Sequence, residues 1–151
     1  MKKGLQNVLK ETFDLFPEDE KELQVLAQIG KIKSIPSHTT FIFEGEKANQ
    51  FYVIVKGNVK IFMEAGQSKV TIYTAQPGEI VGFSSLVEPR LYKGDVQALT
   101  DVEVVEFNAA DLLSEMRLHP RLGYLVMYRV SQFLTQRLLH SMFETLSLSK
   151  V

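Results

Sequence analysis

QPGEIVGFSSLVEPRLYKGDVQALTDVEVVEF, residues 76–107, is the stretch from which the rest of the chain is best read. Pro77-Gly78 is a turn dipeptide. Ile80 and Val81 form a short apolar pair running into Gly82, and Ser84-Ser85 adds a polar step after it. A loop containing Pro89 leads into a strand-like run that ends near Leu99. Asp101 turns the chain, and Val102–Phe107 forms a further strand. Strand, glycine, short helix, loop and strand, in that order, present backbone N–H groups at a helix start, an arrangement suited to an anion or a polar ligand.

The strand pattern extends backwards. Lys31–Ile35 mixes polar residues with Ile32 and Ile35 before Pro36-Ser37-His38 breaks the run, and Thr39–Phe43 is β-branched and aromatic. Glu44-Gly45-Glu46 is a turn. Phe51–Val55 and Val59–Met63 flank the tight turn Lys56-Gly57-Asn58 and are expected to pair as a hairpin. Ala65-Gly66-Gln67 turns again, and Lys69–Thr74 returns. Short strands at regular spacing with glycine turns predict an antiparallel barrel or double-sheet roll over residues 31–107.

Helices flank this region. Leu5, Val8, Leu9, Phe13 and Phe16 fall at helical spacing. Pro17 suits a first helical position, Glu18-Asp19-Glu20 suits the first turn, and Gly30 suits a C′ residue after Ile29, so residues 5–29 are read as N-terminal helices. After Phe107 the period is helical over 109–146. Asn108 or Asp111 caps a first helix to Leu118, and Pro120 starts a long one carrying Leu122, Leu125, Val126, Val130, Phe133, Leu134, Leu138, Leu139, Met142 and Phe143. That is more apolar surface than one face against a barrel requires. About 25 residues also make ~37 Å of helix, longer than a barrel of this size covers. The excess is expected to meet a partner, a second copy joined through residues 121–146, the alternative being a helix folded back on its own domain.

Composition narrows the function. With 45% hydrophobic and 23% charged residues the chain reads as soluble and globular, one domain over 1–151. A net charge of −1 offers no electrostatic case for non-specific nucleic-acid or membrane binding. The absence of cysteine excludes disulfides, thiolate catalysis and cysteine-based metal sites. No apolar run reaches about 18 residues and no signal-peptide core follows Met1-Lys2-Lys3, so a cytoplasmic location is expected. His38, His119 and His140 have no metal-site spacing, and no catalytic set has a recognisable context, so no metal and no enzyme are expected.

Taken together, these residues resemble the cyclic nucleotide-binding domain superfamily, in its catabolite activator and fumarate–nitrate regulator-like sensor form. Pro77, Gly78, Glu79, Val81 and Gly82 match the first half of the family's phosphate-binding cassette, and Ala98 with Thr100–Val104 matches its end. Phe51–Ile61 looks like the family's central hairpin and Phe43–Glu46 like the turn before it, so the likeness runs over about residues 17–146. It implies a fold that is mainly β with flanking helices: a double-stranded β-helix, or jelly-roll-like β-roll, with N-terminal helices and a long C-terminal helix that dimerises and lids the pocket. In the family a Glu directly after the cassette glycine binds the ribose hydroxyl and an Arg neutralises the cyclic phosphate. Here those positions hold Phe83 and Tyr92, so the cassette is degenerate.

The candidate ligand-binding residues are Gly82, Phe83, Ser84, Ser85, Leu86, Tyr92, Lys93 and Arg137. Ser84 and Ser85 offer hydroxyl and backbone donors, or simply cap the short helix. Alternation puts Tyr92, Gly94, Val96 and Ala98 on one face and Lys93 on the other, unless a one-residue bulge exchanges them and lets Lys93 supply the missing charge. Arg90 is a second such candidate. Phe83 makes the pocket more apolar or fills it. Arg137, on the seam with Arg129 and His140, is the choice for contact with a purine base, as the resemblance implies; otherwise it forms an interhelical ion pair or lies on a solvated flank. The reading is a non-enzymatic ligand-sensing regulatory module that does not bind cyclic AMP in the usual way. The effector is a cyclic nucleotide or another small molecule, and no DNA-binding domain is expected. The alternatives are the sensor half of a longer bacterial transcription regulator and a ligand-free protein-interaction scaffold.

Overall fold

The structure, a computed structural model, describes residues 2–12 and 20–149. Helices α1 (Lys2–Thr12) and α2 (Glu20–Ile29) precede strands β1 (Gly30–Ile35), β2 (Thr40–Ile42), β3 (Gln50–Lys56), β4 (Val59–Ala65), β5 (Ser68–Ala75) and β6 (Ile80–Val81). A single 3-10 turn, Phe83–Leu86, leads to β7 (Asp95–Ala98) and β8 (Val102–Asn108), followed by α3 (Ala109–Leu118) and α4 (Pro120–Ser149). The strands form two antiparallel four-stranded sheets, ordered β1-β8-β3-β6 and β2-β7-β4-β5.

Alternation along β3 and β8 builds two cores. Phe51 and Val53 with Val105 and Phe107 face the helices and join Leu9, Leu23, Leu26, Leu112, Leu122 and Leu125. Tyr52 and Ile54 with Val102 and Val104 face the second sheet and meet Ile42, Val59, Val96 and Ala98. Because both faces of these strands are covered, buried apolar residues stand side by side in each, Phe51–Ile54 in β3 and Val104-Val105 in β8. The second sheet turns its outer face to solvent, and β5 is exposed along most of its length.

The expected jelly-roll-like architecture is present, with one change of connection. Phe51–Val55 and Val59–Met63 do not pair as a hairpin: β3 bonds to β6 and β8, whereas β4 bonds to β5 and β7. The turn Lys56-Gly57-Asn58 carries the chain from one sheet to the other. It lies against a second crossing, between β7 and β8, where Leu99 N–H donates to the Asn58 carbonyl at 2.9 Å and Asn58 N–H donates to Thr100 Oγ1 at 3.2 Å. A turn flanked by strands reads the same in sequence whether the strands pair or part.

At the N-terminal side, Gly30 is the first residue of β1 and not a C′ residue. Its role is close approach, since a Cβ there would lie 2.9 Å from both the Phe107 ring and Val105. Leu5 and Leu9 are buried as expected. Phe13, Phe16 and the proposed start at Pro17 lie outside the described residues. Asn108 caps α3, its side chain accepting from Asp111 N–H at 3.0 Å. Helix α4 divides in two. Leu122, Leu125, Val126, Val130 and Phe133 are buried at i, i+3, i+4 spacing, but Leu138, Met142, Phe143 and Leu146 are each more than half exposed. No described helix is long and apolar enough to cross a membrane.

Candidate ligand-binding site

A cavity of about 350 Å³ lies between the inner face of the second sheet, the turn after β6 and the middle of α4. Ile42, Ile61, Val81 and Val96 make much of its wall apolar, and Ser84, Lys93, Arg137 and Ser141 bring polar groups to it. Three devices hold this shape. Pro77-Gly78-Glu79 is fastened to β3: Gly78 N–H donates to the Ile54 carbonyl at 2.8 Å, and Ile54 N–H donates to the Glu79 carbonyl at 2.9 Å. The Glu79 carboxylate accepts from Gln76 N–H at 2.7 Å and from the Tyr73 hydroxyl at 2.6 Å, which ties the turn to β5. Gly82, with φ of 81°, starts the 3-10 turn in a conformation that favours glycine, and a Cβ there would come within 2.8 Å of the Gln50 carbonyl.

From α4, Arg137 reaches across the site. Its guanidinium carbon stands 4.8 Å from the Tyr73 ring centre and 5.3 Å from that of Phe83, so two aromatic faces flank the cation. Nη2 donates to the Ile80 carbonyl, whereas Nε and Nη1 are buried without a hydrogen-bond partner. Burial lowers its pKa from the usual value, opposed by Tyr73 and Glu79. His140, one turn on, stacks edge-on to Tyr73 at 5.8 Å.

The sequence candidates separate clearly. Gly82, Phe83, Ser84, Tyr92, Lys93 and Arg137 all line the cavity. Ser85 and Leu86 do not. Ser85 is fully buried, and both its N–H and its hydroxyl donate to the Gly82 carbonyl, the latter at 2.6 Å, so it closes the turn. Leu86 packs into the core beneath the helices. Tyr92 lines the wall, but its hydroxyl is engaged with Gln50, donating to the carbonyl at 2.8 Å and accepting from N–H at 3.1 Å. Lys93 was expected on the opposite face from Tyr92. It borders the cavity because regular alternation begins only with β7 at Asp95. Arg90 turns to Glu88, at 3.3 Å, and Arg129 lies over Phe133 at 4.8 Å; neither lines the cavity. Phe83 and Tyr92 therefore shape the cavity without filling it.

The family model for the cyclic nucleotide-binding domain matches residues 32–119, more than half of the chain. The chain belongs to the cyclic nucleotide-binding domain family. It is 29% identical over 125 residues to the cAMP-activated global transcriptional regulator CRP of Salmonella typhimurium, an alignment covering 81% of this chain and 57% of that protein. The chain thus spans little more than half the length of the curated relatives it matches. Among solved structures, a cyclic nucleotide-binding domain from Methylobacillus flagellatus superposes with a TM-score of 0.81 at 18% identity, covering 97% of this chain and 83% of that one. The Thermus thermophilus catabolite activator protein gives 0.71 at 22%, covering 89% and 62%. These two likenesses concern the fold.

Within this cyclic nucleotide-binding domain, sequence reading missed Tyr73 and Ser141. Tyr73 arrives through the β4–β5 hairpin with no local signature, and Glu79, legible only as part of the cassette pattern, is its hydrogen-bond partner. Ser141 was accessible by counting, because it stands four residues after Arg137 on one helix face. Burial raises the pKa of Tyr52, Tyr73 and Tyr92, aided by Glu106 at Tyr52 and Glu79 at Tyr73. Above about pH 10 the unfolded chain loses phenolic protons that the folded chain retains, so the unfolded state binds fewer protons. The stability these phenols contribute is complete below about pH 10 and is lost as pH rises through their folded values. Chemical denaturation at stepped pH is expected to show a falling midpoint above pH 10, less steep in Tyr52→Phe. A midpoint independent of pH there would contradict it.

Proposed function

We propose that this cyclic nucleotide-binding domain is a non-enzymatic ligand-sensing module in which an effector in the β-roll cavity sets the position of α4. The observation that carries this reading is that the cavity wall is built jointly by the turn after β6 and by Arg137 and Ser141 of α4. A ligand touching both elements has a differential affinity for helix positions, which is what a switch requires. The exposed apolar residues of the second half of α4 support a homodimer through residues 121–146 as the output. The cyclic AMP mode is altered, with Phe83 at the acid position and Tyr92 at the arginine position. That the curated relatives bear the name of transcriptional regulators favours a second reading, in which the module is the sensor part of a longer regulator of that kind.

The test is calorimetric titration with cyclic AMP, cyclic GMP and cyclic di-GMP, a thermal-shift screen of small anions, and sedimentation velocity. A dimer with weak or no heat from cyclic AMP, and a raised melting midpoint with a small effector, is expected. Micromolar cyclic AMP binding that survives Arg137→Gln would overturn the altered mode. No stabilisation by any compound would leave the interaction scaffold, and a monomer at micromolar concentration would remove the dimer.

A further inference from the structure

The cavity carries charge of one sign. Arg137 and Lys93 line it, and among its lining residues there is no carboxylate. Glu79, behind Tyr73, has its oxygens committed to the Tyr73 hydroxyl and Gln76 N–H. A guanidinium holds five N–H donors on two edges that meet at Nη2. Arg137 gives one Nη2 hydrogen to Ile80, so whichever hydrogen that is, the other edge retains a parallel pair that matches a carboxylate. Its Nε and Nη1 are sealed from water without partners, a costly arrangement that an arriving anion would relieve.

The remainder of the wall restricts the rest of the ligand. At about 350 Å³ the cavity lies at the small end of ligand pockets, which run from about 300 Å³ upwards. Ile42, Ile61, Val81 and Val96 offer no hydrogen bonds, and Phe83 adds an aromatic ring to the wall. We infer that the cavity takes a small, flat, largely apolar molecule bearing a single carboxylate-like group, and that Arg137 of α4 is the residue that pairs with this charge. The inference rests on the sensing role proposed above and assigns its ligand class. Charge recognition then resides on the helix that moves, and Phe83 supplies a stacking face beside it.

The experiment is calorimetry and thermal shift on the full chain with benzoate and naphthoate, each beside its uncharged amide, and with cyclic AMP in parallel. At least one carboxylate is expected to bind roughly tenfold or more tightly than its amide. That preference should vanish in Arg137→Gln and return in part in Arg137→Lys, while Phe83→Leu weakens carboxylate and amide alike. Far-ultraviolet circular dichroism confirms that each variant is folded. Equal binding of acid and amide, a preference that survives Arg137→Gln, or no binding of either carboxylate would overturn the inference. Cyclic AMP binding in the absence of carboxylate binding would overturn it too, yet leave the sensing role intact.

Discussion

Gly57→Ala is expected to destabilise the protein by about 2–4 kcal/mol, lowering the melting midpoint by ~5–15 °C. Two causes add. Gly57 has φ of 82°, in the left-handed region where an L side chain is strained. The new Cβ would also sit 2.5 Å from the Asp101 carbonyl and 2.7 Å from Thr100 Oγ1. Neither contact is with the free end of a flexible side chain, so one crossing turn must move away from the other and pull on Asn58, Leu99 and Val102. Gly66→Ala is the control. It shares the positive φ, at 67°, but a Cβ there meets nothing within 4 Å, and about 1 kcal/mol is expected. Equal losses in urea denaturation of the two variants would show that the crossing is not tightly packed.

Phe107→Ala should cost about 3–5 kcal/mol, the range for deleting a buried aromatic ring. Phe107 is 1% exposed, its ring centre lies 6.2 Å from that of Phe51, and Gly30 leaves room for its edge. The void would open between the first sheet and the helices and not in the β-roll cavity. Hydrogen exchange separates the two regions: amides of Leu122–Val130 should lose protection before those of β4. A cost below about 1 kcal/mol, or uniform loss of protection, would sink this prediction.

The legible and illegible parts of this chain divide by the range of the interactions. Alternation in Phe51–Val55 and Val102–Phe107, and the turns at Gly66 and Gly78, depend on neighbours in sequence, and the elements formed where the pattern placed them. Whether β3 pairs with β4 depends on which sheet each joins, and the Lys56-Gly57-Asn58 turn encodes only a reversal. The same holds at the site. Gly82 was legible from the cassette pattern and Ser84 from the polar step after it. Ser85 and Leu86 looked equivalent to them, but the 3-10 turn rotates them into the turn and the core. Tyr92 was legible as a lining residue, whereas the engagement of its hydroxyl with Gln50, 42 residues away, was not.

The division of α4 into a buried first half and an exposed second half has a mechanical meaning. Leu122–Phe133 supplies the buried face of the helix, Arg137, His140 and Ser141 meet the cavity and its wall, and the residues that follow to Leu148 are exposed. The twelve residues after Arg137 form an arm of ~18 Å that begins at the β-roll cavity. A tilt of about 10° at Arg137 displaces the far end by ~3 Å. On the sensing role proposed above, a displacement at Arg137 too small to alter the β-roll would be enlarged at the exposed Phe143 and Leu146, and the arm's length would set the gain. Shortening the helix would lower that gain without altering what the cavity binds.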